Sequence, residues 1–220
     1  MDTPDSSPSA RTQVRRIADR ARYDQETVHR IIDAAWHCHV AFASTGSVHC
    51  IPTACWREND RLYIHGSNGS RLLKALADGI QACVSITHID GLVLARSAFH
   101  HSMNYRSVVI YGQFERIPEE YKASALERFM QRVGAGREHE VRPPDPTELA
   151  ATTILYIPTT EAAAKIRVGG PHDDEADLTR PVWSGVLPMR IQQCEPVREA
   201  DSTIEAPGYV RSWPQPRAAR

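Results

Sequence analysis

Alternation of apolar and polar positions dominates the middle of the chain. The runs "HVAFAST", "SVHCIPTACW" and "RLYIHGS" are rich in β-branched and aromatic residues, and they are separated by Thr45-Gly46 and by "RENDR", both good turn sequences. They predict a three-stranded meander. "IQACVSITHI" and "LVLAR", joined by Asp90-Gly91, predict a hairpin, because Asp-Gly tolerates the positive φ angles of a two-residue turn. "YRSVVIYGQFERI" predicts a further long strand. "TILYIP" and "AAAKIRV" predict the last two main strands, and "VWSGVLPM" follows a turn-rich connection.

Helical periodicity appears in three places. "DQETVHRIIDAAW" puts Val28, Ile31, Ile32 and Ala35 on one face behind Asp24 as the N-cap. "GSRLLKALADG" puts Leu72, Leu73, Ala75 and Leu76 on a stripe that ends at Gly79, and "PEEYKASALERFMQRV" carries Pro118 near its first turn. Six to eight strands with few intervening helices predict a mainly β fold with flanking helices, a mostly antiparallel barrel rather than a parallel doubly wound sheet.

The length of 220 residues suits one domain with extensions. Residues 1–14 and the Pro-rich residues 197–220 are expected to be tails too polar to bury themselves, with the domain at 15–196. The arginine-rich stretch Arg11–Arg22 reads as a solvated arm or an interface segment. A net charge of −1 gives no general reason to bind nucleic acid or an anionic membrane. Cys38, Cys50, Cys55, Cys83 and Cys194 form an odd set without a CxxC pair, as expected of reduced thiols. The N-terminus lacks the regions of a secretion signal, and no apolar run approaches the ~20 residues that span a bilayer. A cytoplasmic protein is expected.

Two segments could carry chemistry. In "YIHGSNGSRLLKAL" a strand ends at His65 and a helix starts near Ser70, so free backbone N–H groups favour an anion, with Ser67, Ser70, Arg71 and Lys74 adding hydroxyl and cationic donors. A capped helix with a charged outer face accounts for the same residues equally well. In "ARSAFHHSMNYR", Ser102, Asn104 and Arg106 lie at a strand corner, where they are expected to converge on that turn. His100 and His101 suggest metal ligands, but neighbours on a strand face opposite ways and no carboxylate or thiol completes a set, so no metal is expected. His37 and His39 share a face and read as cross-strand packing. "HDDEAD" at 172–177 lacks EF-hand spacing and reads as a solvated acidic loop. No GxSxG, HExxH or Cys–His pair supports a hydrolase.

Taken together, "IPTACW", "LYIHGSNGSRLLKAL", "GLVLARSAFHHSMNYRSVVIYG", "AAAKIRVGGPHDDEAD" and "PVWSGVLP" resemble the pyridoxamine 5′-phosphate oxidase-related flavin-binding proteins, in the branch that includes the nitroimidazole-resistance reductases. The resemblance covers about residues 15–190. It implies a split β-barrel and a homodimer with FMN in a groove at the interface. It also implies that His49, Ile51, Pro52 and Thr53 lie along the isoalloxazine ring and that His65, Ser67, Ser70, Arg71 and Lys74 hold the phosphate. Ser102 and Asn104 would contact the cofactor, and Trp183 would approach it from the partner subunit. Arg96 and Arg106 would buttress the corner or the dimer contact.

The chain also departs from the oxidases proper. It lacks the C-terminal Arg-x-His segment that grips the substrate phosphate, so vitamin B6 oxidation is not expected. His49 and "SRLLK" replace an arginine before the flavin-edge strand and an Arg-Lys pair in the phosphate turn. The expected function is that of a flavin-dependent oxidoreductase acting on a small organic compound, with NAD(P)H as a donor and His49, His100 or His101 as a proton source. A non-catalytic flavin carrier or sensor needs the same cradle. A haem-binding or haem-degrading relative on the same barrel, using His37, His100 or His101, is the third reading.

Overall fold

The computed structural model describes residues 9–213. Short β1 (Ala21–Arg22) precedes α1 (Gln25–Asp33), whose Asp24 carboxylate accepts from the Thr27 backbone N–H at 2.8 Å and whose Val28, Ile31 and Ile32 are buried. The predicted meander follows as β2 (His37–Ser44), β3 (Ser47–Glu58) and β4 (Arg61–Ser67). Its first turn has positive φ at Thr45 and Gly46, and its second at Asn59. Next come α2 (Arg71–Ala77), β5 (Gln81–Leu94), β6 (Ser102–Gln113) and β7 (Glu115–Arg116). The chain continues with α3 (Lys122–Val133), α4 (Pro146–Ala150), β8 (Thr152–Pro158), β9 (Ala162–Arg167), β10 (Gly185–Pro188) and α5 (Gly208–Arg211).

The strands run β1-β9-β6-β5-β2-β3-β4-β8-β7, with β10 added to β5, and their pairings are antiparallel. Closure depends on β3, which changes partner along its length. Ser47–Ala54 pairs with β2, whereas Cys55–Glu58 pairs with β4. The chain thus passes from one sheet into the other and leaves the second edge of Ser47–Ala54 without a strand partner among the described residues. This is the split β-barrel. Its interior is filled by Val40, Phe42, Leu62, Ile64, Val84, Ile110, Leu155 and Ile157, and closed by Leu72, Leu73 and Leu76 of α2. Burying each of those leucines contributes about 1.5–3 kcal/mol. On the other side of the β4–β8 sheet, α3 covers Trp56, Tyr63 and Ile154 with Ala125, Leu126 and Phe129. Cys38 and Cys55 are buried, and no disulfide forms among the described residues. No described helix is long and apolar enough to cross a membrane.

Three expectations are corrected. Asp90-Gly91 makes no hairpin: β5 runs straight through, with an irregularity between Ile89 and Gly91 against β6. Arg106 holds the Asp90 carboxylate with two hydrogen bonds of 2.8 Å, and the Asp90 carbonyl accepts from Met189 N–H. A Cβ on Gly91 would lie 2.8 Å from the Leu187 carbonyl oxygen of β10, so the glycine serves a close strand approach rather than a turn. The expected tails are docked where they are described. Ser9 donates to Glu161 at 2.6 Å, and Arg11 pairs with the same carboxylate. At the other end, α5 places the Tyr209 hydroxyl 2.6 Å from Glu140, and the Trp213 ring centroid lies 6.0 Å from that of Trp36. Residues 1–8 and 214–220 of those tails lie outside the described residues. The acidic loop is not simply solvated, because the Asp173 side chain is 2% exposed.

Candidate functional site

On β3, His49, Ile51 and Thr53 share the inward face while Cys50 and Pro52 are exposed, as the period of a strand requires. Ile51 packs against the core, and the His49 ring centroid is 5.1 Å from that of its cross-strand neighbour Phe42. Beside them runs the unpartnered edge of β3, whose backbone N–H and C=O groups are hydrogen-bonding groups without a ladder to join.

The turn after β4 is held rigidly from below. Asn68 donates to the Ala150 carbonyl at 2.6 Å and accepts from the Thr153 hydroxyl at 2.7 Å. The Ser67 hydroxyl oxygen accepts from Gly69 N–H at 3.1 Å, and the Ser70 hydroxyl oxygen caps α2 by accepting from Leu73 N–H. Both hydroxyls keep their own protons to donate. Arg71 and Lys74 project from the exposed side of α2, and neither has an ion-pair partner among the described residues. Two hydroxyl donors and two uncompensated cations within eight residues form a donor set that suits a phosphate.

His65 stands apart from that set. Its ring centroid lies 4.7 Å from Phe129 and 5.7 Å from Trp56, on the α3 side of the sheet. Its Nδ1 is enclosed without a hydrogen-bond partner. Burial holds the imidazole below its ordinary pKa, so the ring is neutral at neutral pH. Sequence gives no signal for this placement, because Phe129 comes from a helix more than sixty residues away.

The corner residues form a separate group. Ser102 pairs with Val93, eight residues beyond Ser85, where β5 pairs with His39 of β2. That is roughly 26 Å at about 3.3 Å per residue. Asn104 is buried and committed: its Nδ2 donates to the Gly169 carbonyl at 3.1 Å and its Oδ1 accepts from Arg167 at 2.5 Å. Its amide therefore secures the Gly169-Gly170 turn. Arg96 holds Asp173, His100 lies 3.2 Å from Asp174, and the His101 ring lies 2.9 Å from the Ser97 carbonyl oxygen. Arg96 and Arg106 both act as buttresses. Trp183 is 64% exposed, with its ring folded over Gly185. Among the described residues no group of three or more His, Cys, Asp or Glu could hold a metal ion.

The flavocytochrome Anf3 of Azotobacter vinelandii is 39% identical, with a TM-score of 0.90 over 94% of this chain and 98% of that one. The FAD and haem binding protein of Mycobacterium smegmatis is 34% identical, with a TM-score of 0.85 over 89% and 97%. A Bacteroides thetaiotaomicron structure named for 5-nitroimidazole antibiotic resistance shares the fold at 21% identity, a TM-score of 0.55 and coverage of 66% and 86%. No curated protein matches the chain. The family model described as pyridoxamine 5′-phosphate oxidase matches residues 24–166. A split barrel with a phosphate-suited turn, matched over most of its length by that model and by two such relatives, belongs to the pyridoxamine 5′-phosphate oxidase family.

Proposed function

We propose that this chain is a redox protein that binds both a flavin and a haem and works as a pair of identical chains. The observation that carries the proposal is the agreement of two relatives that span nearly the whole chain, at 39% and 34% identity, whose names join a flavin with a cytochrome or haem. The residues present suit the flavin. Ser67, Ser70, Arg71 and Lys74 would hold the flavin phosphate, and the free edge of β3 from His49 to Thr53 would meet the ring. The haem is carried by the names of the two relatives, and the one buried histidine nitrogen without a partner among the described residues, His65 Nδ1, is enclosed beside Trp56 and Phe129 where iron does not reach it. Together, a flavin and a haem supply coupling between two-electron and one-electron transfer.

In this proposal the protein's own part is binding and orientation. Arg71 and Lys74 offset phosphate charge, Ile51 and the α2 leucines fix the wall on which the ring would rest, and the Asn68 contacts keep the turn rigid. His100 and His101 are engaged at the corner, so neither is assigned a proton-transfer role. FAD, the flavin named for the Mycobacterium relative, replaces the FMN expected from the sequence. Pairing of two chains is supported by the span along β5 between Ser102 and the β2–β3 rows, together with the exposed Trp183. A flavin held between two copies would meet both groups.

The test is a visible spectrum of the purified protein, then addition of NADH or NADPH without oxygen. Flavin bands and a Soret band that both respond to the reductant support the proposal. Flavin bands alone, persisting after incubation with haem, would return the chain to the flavin-only oxidoreductase expected from the sequence.

A further inference from the structure

We propose that the cleft between the start of α3 and the β4–β8–β7 side of the sheet is a second binding site, separate from the flavin turn, and that it takes a planar aromatic carboxylate. The cleft has a volume of about 1110 Å³ and is lined from the β3–β4 turn, β7, β8 and the segment that leads into α3. Close packing leaves few spaces of that size without a use, whereas ligand sites commonly span about 300–1,000 Å³. Arg61, on its wall, is six residues before Ser67 along β4, which is roughly 20 Å at about 3.3 Å per residue. A molecule held beside Arg61 therefore leaves the phosphate-suited turn open.

The wall suits a flat ring. Strand pairing sets Trp56, Tyr63, Tyr156 and Glu115 in one row across β3, β4, β8 and β7. Trp56 and Tyr63 stack with centroids 5.3 Å apart, the Tyr63 centroid lies 5.7 Å from that of Tyr156, and the Tyr156 hydroxyl donates to Glu115. The Arg61 guanidinium lies 4.3 Å from the Tyr156 centroid and makes no ion pair among the described residues. It also meets the Tyr63 hydroxyl, which leaves the rest of its planar fork of N–H donors for a carboxylate. Tyr121, 58% exposed, lines the cleft too, and its hydroxyl has no hydrogen-bond partner among the described residues. Three carboxylates also line the cleft. Glu115 is engaged by Tyr156, Glu58 accepts from Trp56 Nε1 at 2.9 Å and pairs with Arg128, and Asp60 lies 3.5 Å from His29. Their charge repels a phosphate dianion more strongly than a carboxylate, so the site favours the singly charged acid.

The experiment is a calorimetric titration of the full chain, with flavin supplied, using 2-naphthoate as the probe and its neutral amide and 2-naphthyl phosphate as comparisons. The parent is expected to bind naphthoate more tightly than either. Arg61→Gln is expected to weaken naphthoate roughly tenfold or more, as the loss of a charge-assisted contact requires, while the amide binds as before and the flavin is retained. Tyr121→Ala, at an exposed position, is expected to weaken naphthoate several-fold. The Arg71→Ala, Lys74→Ala double variant is expected to bind naphthoate as the parent does. No binding by the parent, tighter binding of the phosphate, or unchanged affinity in Arg61→Gln or Tyr121→Ala overturns the assignment. Loss of naphthoate binding in the double variant places the anion at the flavin turn and overturns it as well.

Discussion

Arg96 grips Asp173 twice: its backbone N–H donates to one carboxylate oxygen at 2.7 Å and its guanidinium to the other at 2.8 Å. The contact joins residues 77 positions apart and seats the acidic loop on the corner between β5 and β6. Burial acts to raise the Asp173 carboxyl, but the Arg96 bonds outweigh it and leave the group below its ordinary value. Its contribution is therefore complete above the unfolded-state pKa and is lost as pH falls through the lowered folded value. Asp173→Asn is expected to release the loop at neutral pH. A glutamate-specific protease should then cut after Glu175 several-fold faster than in the parent, and the parent should approach that rate only in acid.

Arg71 and Lys74 have no carboxylate to leave behind, so removing them costs the fold little and the ligand much. Each charge-assisted contact to a phosphate is worth about 1.5–3 kcal/mol, or roughly tenfold or more in affinity. The Arg71→Ala, Lys74→Ala double variant is expected to melt within a few degrees of the parent while releasing flavin on dilution. Fluorescence titration checks this, and the parent's affinity should fall as salt rises.

Gly91 is where β10 comes closest to β5. A Cβ there would sit 2.8 Å from a backbone oxygen, which no side-chain rotation relieves. Gly91→Ala is expected to cost about 1–3 kcal/mol and to displace β10 while sparing the rest of β5. Amide exchange at Val186 and Leu187 should accelerate, with Val84 and Ile86 unchanged.

What could be read from the sequence follows the range of the physics involved. The meander, the α2 stripe, the Asp24 cap and the phosphate-suited turn are local, and their residues carry the signal within one window. Asp90-Gly91 misleads because its local turn preference is overridden by Arg106 and Leu187, partners far along the chain. "HDDEAD" looks solvated until Arg96 is placed beside it. Asn104 is correctly located at the corner, yet its amide is used by Arg167 and Gly169, which strand pairing brings next to it. His65 lies within β4, two residues before Ser67 of the phosphate-suited turn, and only the packing of α3 shows which way its ring faces.

The central claim is that this one chain carries a flavin and a haem. It is tested most directly by mass identification and quantitation of the cofactors released when the purified protein is denatured. The account predicts FAD and haem in equal amounts, one of each per chain. A protein that releases flavin alone after incubation with haem, or that takes up neither, would contradict it.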